Sequence, residues 1–199
     1  MKKMIAFCLL AVLLPCLALA QTDVPLRGDE KKKLDTFFSN FAEVNMKSFP
    51  QGPLSDDTLL YFATWHCIIN AADSFQTTND GNDIIIPASA IDKATEKYLG
   101  QTIKKHLKPS YVESMASGEA YVFAQVDSLQ KRDDGTYLAK GTIYATGPGG
   151  DIDPHGTPAD WEKAGEIIPP QETFTGIVRK TDGEQGRYIL LEYTVHERE

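Results

Sequence analysis

Glu119-Ala120-Tyr121-Val122-Phe123-Ala124-Gln125-Val126-Asp127-Ser128-Leu129 is the stretch that decides the fold. Tyr121, Phe123 and Gln125 fall on one side of it; Ala120, Val122, Ala124 and Val126 fall on the other. A period of two is the pattern of a β-strand. Asp133-Asp134-Gly135 then turns the chain, and Thr136 to Thr146 is expected to return as a second strand. Thr173 to Lys180 and Arg187 to His196 predict another hairpin around Thr181-Asp182-Gly183-Glu184-Gln185-Gly186. The C-terminal half is therefore expected to be a four-stranded antiparallel meander.

Upstream the period changes to that of a helix. Leu34, Phe37, Phe38, Phe41 and Val44 recur at helical spacing, leaving Lys31, Lys32, Asp35 and Glu43 for water, with Asp29 as the expected N-cap. Ser55 is expected to cap a second helix, with Asp56 and Asp57 at the positive end of its dipole. That helix, from Leu59 to Ile69, is apolar nearly all round and so reads as central and buried. Ile84-Ile85-Ile86 is a short β-prone run. A third helix follows, carrying Ile91, Ala94, Tyr98 and Leu99 inward and ending at Gly100 as C′. A further helical turn is expected over Thr102 to His106. Helices first and strands second make an α+β domain: three N-terminal helices packed on the meander.

Gly147 to Gln171 interrupts the meander with a connection longer than the roughly 12–15 residues at which unstructured loops become uncommon. Such loops are functional or carry structure of their own. Thr157 as cap, Pro158 at N1 and Asp160 at N3 predict a short helix over Pro158–Ala164. The expected organisation is a signal peptide over 1–20 and a single domain over 21–199, with this inserted loop at 147–171.

The signal assignment rests on Lys2 and Lys3, the apolar run Met4 to Leu14 and the small-residue pattern Ala18-Leu19-Ala20. These are the parts of a secretory signal cleaved after Ala20, which places the expected product in the periplasm or outside the cell. Leu13-Leu14-Pro15-Cys16 offers a lipid-attachment alternative at Cys16, but Pro15 stands where a small residue is needed, so the free product is preferred. No other apolar run reaches the ~20 residues that span a bilayer. The chain has 20 basic and 28 acidic residues, a formal charge of −8, and losing Lys2 and Lys3 takes this to about −10. Such a surface repels phosphate backbones, so nucleic acid is not an expected partner. Cys8 and Cys16 leave with the signal, so Cys67 would be alone and without an internal disulfide.

Leu34-Asp35-Thr36-Phe37-Phe38-Ser39-Asn40-Phe41 is followed by Leu54-Ser55-Asp56-Asp57-Thr58-Leu59-Leu60, a helix with His66 and Asn70, and a helix ending Lys97-Tyr98-Leu99-Gly100. Over the first two-thirds of the chain this resembles a family of uncharacterised secreted or lipoprotein α+β domains of bacteria. It is also similar, at a distance, to secreted inhibitors of cell-wall endopeptidases from Gram-positive bacteria. The resemblance implies a fold of cystatin-like or NTF2-like general shape. It carries over no catalytic residue.

Four constellations are candidates for chemistry or binding. Tyr121, Phe123, Tyr144 and Tyr193 are expected on one strand face, where they line a pocket or form core. His66 and Asn70, four apart, share a helix face as a binding strip or a buried hydrogen-bonded pair. Asp151, Asp153 and Glu162 sit at positions one, three and twelve of a calcium-like loop with Gly156 at six. His155 at position five, Pro154 and Pro158, and the competing capping box all depart from that pattern; Asp80, Asn82 and Asp83 form a second such cluster. Cys67 lacks any motif that marks a nucleophile and reads as a small core residue. Calcium is the one ion suggested, and no cofactor fingerprint is present.

The function expected from these features is that of a secreted, non-enzymatic binding protein of the envelope. Its partner would be a protein, such as an envelope hydrolase that it modulates. One alternative is a small-ligand binder with a pocket between helices and sheet. The other is a hydrolase using Cys67 or carboxylates.

Overall fold

A computed structural model of the chain describes residues 22–115, 121–147, 152–182 and 186–197. In chain order the elements are β1 (Thr22–Asp23), α1 (Gly28–Glu43), α2 (Asp56–Ala71), β2 (Gln76–Thr78), β3 (Asp83–Pro87), α3 (Ala88–Leu99), β4 (Ser110–Ser114), β5 (Val122–Lys131), β6 (Tyr137–Ala145), α4 (Pro158–Lys163), β7 (Pro170–Lys180) and β8 (Tyr188–Glu197). The protein is α+β, with two antiparallel sheets among the described residues: a five-stranded one ordered β1-β5-β6-β7-β8 and a three-stranded one ordered β2-β3-β4. The signal segment at 1–20 lies outside the described residues.

Several local expectations change. Ahead of the first predicted helix, Thr22 and Asp23 pair with Lys131 and Gln130 as an edge strand that the sequence pattern does not announce. The cap of α1 is Arg27, which makes no side-chain capping bond, and Asp29 sits inside the first turn. Thr102 to His106 is not helical. There the carboxylate of Asp92 accepts from the Ile103 amide and pairs with His106 Nε2 at 3.1 Å, tying an extended segment to α3. Ser55 does cap α2, accepting from Thr58 N, and Gly100 ends α3 at φ 64°. That left-handed conformation suits glycine.

The core fills the space between the helices and one face of the large sheet. Phe38 packs on Phe174 with centroids 4.6 Å apart, and Phe41 stacks on Phe62 at 4.9 Å. Gly141 and Gly176 lie under these rings: a Cβ at Gly176 would stand 2.6 Å from Phe38, and one at Gly141 2.5 Å from Phe174. The bare strand backbone is what lets the phenylalanines lie this close.

Both edges of the sheet are covered from the N-terminal half. At β8, Ser48 accepts from the Val195 amide and Phe49 bridges to Tyr193. At β5, Asp35 and Ser39 of α1 accept from the amides of Val126 and Ala124 at 2.7 and 2.9 Å. Side chains here replace a neighbouring strand, which removes an open template for edge pairing. Asp35 is therefore buried, contrary to its expected solvent position.

Candidate functional site

Of the four aromatics expected on one strand face, three do share a face. Phe123 stacks on Tyr144 at 5.3 Å and Tyr121 stacks on Phe123 at 5.6 Å. Tyr193 points the other way, into the main core, beside Phe38, Phe41 and Phe174. The alternation of β8 puts it there: its partner across the ladder is Gly176, which faces α1. Its hydroxyl has no hydrogen-bond partner among the described residues, and burial pushes its pKa up.

Among the described residues Phe123 and Tyr144 are covered, while Tyr121 beside them is 40 % exposed. Trp161 of α4 lies edge-on to Phe123 and Tyr144 at 5.4 and 5.1 Å, and Ile152 and Ile168 complete the layer. The described part of the long connection is thus a strap laid on the outer face of the sheet. Gln125 donates to the carbonyls of Pro154 and Gly156, and the Trp161 indole donates to that of Asp153 at 2.7 Å. The predicted capping box of α4 is present: Thr157 and Asp160 each satisfy the other's backbone amide.

That box occupies the positions a calcium loop would need. Asp153 accepts from the His155 amide, Glu162 lies exposed on α4, and Asp151 falls outside the described residues. Among the described residues no group of three or more His, Cys, Asp or Glu is gathered for a metal. Of the second acidic cluster, Asp83 accepts from Ser114 on the neighbouring β4 and Asn82 bonds back to the Asn79 carbonyl.

His66 and Asn70 do meet, at 3.3 Å, with Asn70 donating to Glu43 of α1 at 3.1 Å. They are not a buried pair: His66 is half-buried and Asn70 exposed. Burial, and then the charge of Lys97, push the His66 pKa down to about 4. Burial raises that of Glu43. A histidine whose folded pKa lies below the ordinary value favours its neutral form in the fold. The stability it supports is full above about 6.5 and declines as pH falls toward 4. Glu43, shifted upward, works in the opposite sense at the acid end. His66→Gln is expected to flatten this acid limb by about 2 kcal/mol, read from denaturant unfolding across that pH range; an unaltered limb would remove His66 as its source.

α2 is not apolar inside a buried site on every side. Tyr61, Trp65 and Ile69, one turn apart, are 43, 38 and 42 % exposed. Cys67 on the opposite side is buried, and burial pushes its thiol up to about 11. A thiol so disfavoured as thiolate is a poor nucleophile.

A cleft of about 500 Å³ opens between α1, α3 and the start of β8. Phe37, Tyr98 and Tyr188 form its apolar lining, with Phe37 about 6 Å from each of the other two rings. Lys32, Lys33, Lys97, Arg187 and Asp29 stand around it, with Thr36 and Asn40 between. The Tyr188 hydroxyl donates to Glu30, which also holds Lys180 at 2.7 Å. Spacing alone assigns Phe37 and Tyr98 to the core and Lys32 to water, and gives the other residues of the cleft no role. The signal available was the Lys31–Lys33 run near the N-terminal end of α1, where the helix dipole favours acidic residues.

The fold and the cleft together define an α+β domain with a pocket between helices and sheet. No family model, no curated protein and no solved structure matches the chain. Among the described residues no helix is long and apolar enough to cross a membrane.

Proposed function

We propose that the chain is a secreted, non-enzymatic binding protein of the bacterial envelope, whose ligand is a small molecule seated in the cleft between α1, α3 and β8. The observation that carries this is the cleft itself: its volume lies in the roughly 300–1,000 Å³ range of ligand sites, and its floor is aromatic with polar groups at the rim. Compartment and cleavage after Ala20 belong to the same proposal and rest on the sequence of residues 1–20. So does the finer architecture, helices laid over β5–β8 in a cystatin-like or NTF2-like general shape. The hydrolase alternative has the least support, since the Cys67 thiol is buried and strongly protonated.

A thermal-shift screen of small metabolites against wild type and Thr36→Trp tests the proposal. Thr36 is exposed at the cleft, so the indole fills space without touching the core. A ligand at a hundred times its Kd adds about 2.7 kcal/mol of stability. Hits are expected to raise the Tm of wild type and not of the variant. Hits that act equally on both would remove the cleft reading. The second reading is a protein partner docked on the Tyr61–Trp65–Ile69 stripe, which that exposed apolar row supports.

A further inference from the structure

We infer that the cleft selects a small organic anion with a flat apolar body; this rests on the ligand-binding reading above and deepens it. The chain as a whole is acidic, with 28 carboxylate against 20 basic side chains. At the cleft the sign inverts: Lys32, Lys33, Lys97 and Arg187 line it with one carboxylate, Asp29, while Glu30 close by acts on Lys33 and is itself bound to Lys180 and Tyr188. Among the described residues none of the four cations is held in an ion pair, whereas Lys31 and Lys180 nearby are neutralised by Asp35 and Glu30. Four cations brought around one opening in an acidic protein repel each other. A bound anion relieves that repulsion, and the acidic remainder of the surface does not compete for it.

The floor specifies the rest of the ligand. Tyr98 and Tyr188 have their hydroxyls engaged, by Lys97 at 2.9 Å and by Glu30, so what each presents to the cleft is the small exposed edge of its ring. Lys97 Nζ also stands 4.6 Å from the Tyr98 centroid. A positive charge thus lies over the Tyr98 ring at the cleft wall. A planar body can lie against the exposed ring edges while its acid group meets Lys97 and Arg187. Arginine suits the task because its planar fork matches a carboxylate, sulfonate or phosphate.

Two fluorescent probes with the same ring body test this: 8-anilinonaphthalene-1-sulfonate, and the neutral N-phenyl-1-naphthylamine, which lacks the sulfonate. The anionic probe is expected to bind about tenfold more tightly at low salt, a difference of about 1.4 kcal/mol. That preference should shrink as salt screens the rim. Lys97→Gln with Arg187→Gln should erase it and leave the neutral probe unchanged. Thr36→Trp should weaken both. All three positions are exposed, and a circular-dichroism melt of each variant checks that it folds. Equal binding of the two probes, lost in Thr36→Trp but untouched by the double glutamine variant, would overturn the anion assignment and leave the cleft as a ligand site. Failure of both probes to bind, or binding that Thr36→Trp does not weaken, would overturn the ligand reading along with it.

Discussion

Trp161→Ala is expected to cost about 3–5 kcal/mol, in the range of large aromatic deletions from packed sites. The indole is 2 % exposed. It meets Phe123 and Tyr144 edge to face, and its N–H is satisfied by the Asp153 carbonyl at 2.7 Å. Truncation leaves a ring-sized void on the outer face of β5 and β6 and takes one of two donors from that carbonyl, which keeps the Gly156 amide at 2.9 Å. Gly156 makes the fit close, for a Cβ there would stand 3.1 Å from the indole nitrogen. The effect should be local first. Trp161 belongs to a small cluster separate from the main core, so the strap can lift while α1 stays on the sheet. Hydrogen exchange is the measurement: amides of 152–168 should lose protection in the variant while those of α1 keep theirs. Protection retained in 152–168, with a stability loss under about 1 kcal/mol, would mean that Trp161 does not hold the strap.

The strap shows what the sequence makes legible. Its helix was readable because Thr157, Pro158 and Asp160 act on their immediate neighbours, and a capping box is a local device. The β5 alternation was readable for the same reason. Trp161 covering Phe123 was not, since nothing in a residue's spacing names what it packs against across the sheet. The second sheet was missed because β2 and β4 are short, largely exposed strands that gain their order by pairing with Ile84–Ile86. Local propensity carries little information about such pairing.

The site was less legible than the fold. Tyr98 and Phe37 read as core because they sit at core spacing, and each is in fact mostly buried; only their remaining ring edges face the cleft. Arg187 lies about ninety residues from Lys97 and more than 150 from Lys32 in the chain. They come together only because β8 returns beside α3 and α1. His66 and Asn70 were found because both lie on one helix, although the structure adds Glu43 from another. Residues that a single element brings together are visible in a sequence; those that topology brings together are not.

Asp35→Ala is expected to destabilise the protein by about 3–5 kcal/mol, the cost of breaking a buried charged pair from one side. One carboxylate oxygen accepts from the Val126 amide at 2.7 Å and the other from Lys31 at 2.7 Å. His155 Nδ1 lies 3.5 Å from that second oxygen and has no hydrogen bond of its own. Alanine would leave the Val126 N–H buried without an acceptor, which carries its full desolvation cost. It would also leave the edge of β5 open beyond the short pairing with β1. Asp35→Asn separates the two contributions. It keeps an oxygen for Val126 and gives up the charge, so it should lose about half as much. Ser39→Ala, one turn on, removes the acceptor for the Ala124 amide and should cost about 1–2 kcal/mol. Urea unfolding of the three variants orders them. The edge-cover role of Asp35 requires alanine to cost about twice as much as asparagine; equal losses would mean that the charge, and not the amide bond, is what the buried carboxylate contributes. The same helix presents Asp35 and Ser39 to the strand edge on one side and Lys32, Thr36 and Asn40 to the cleft on another. Securing α1 to β5 therefore also fixes one wall of the cleft, and Asp35→Ala, which gives up the bond to Val126, should weaken binding of both probes without touching any cleft residue.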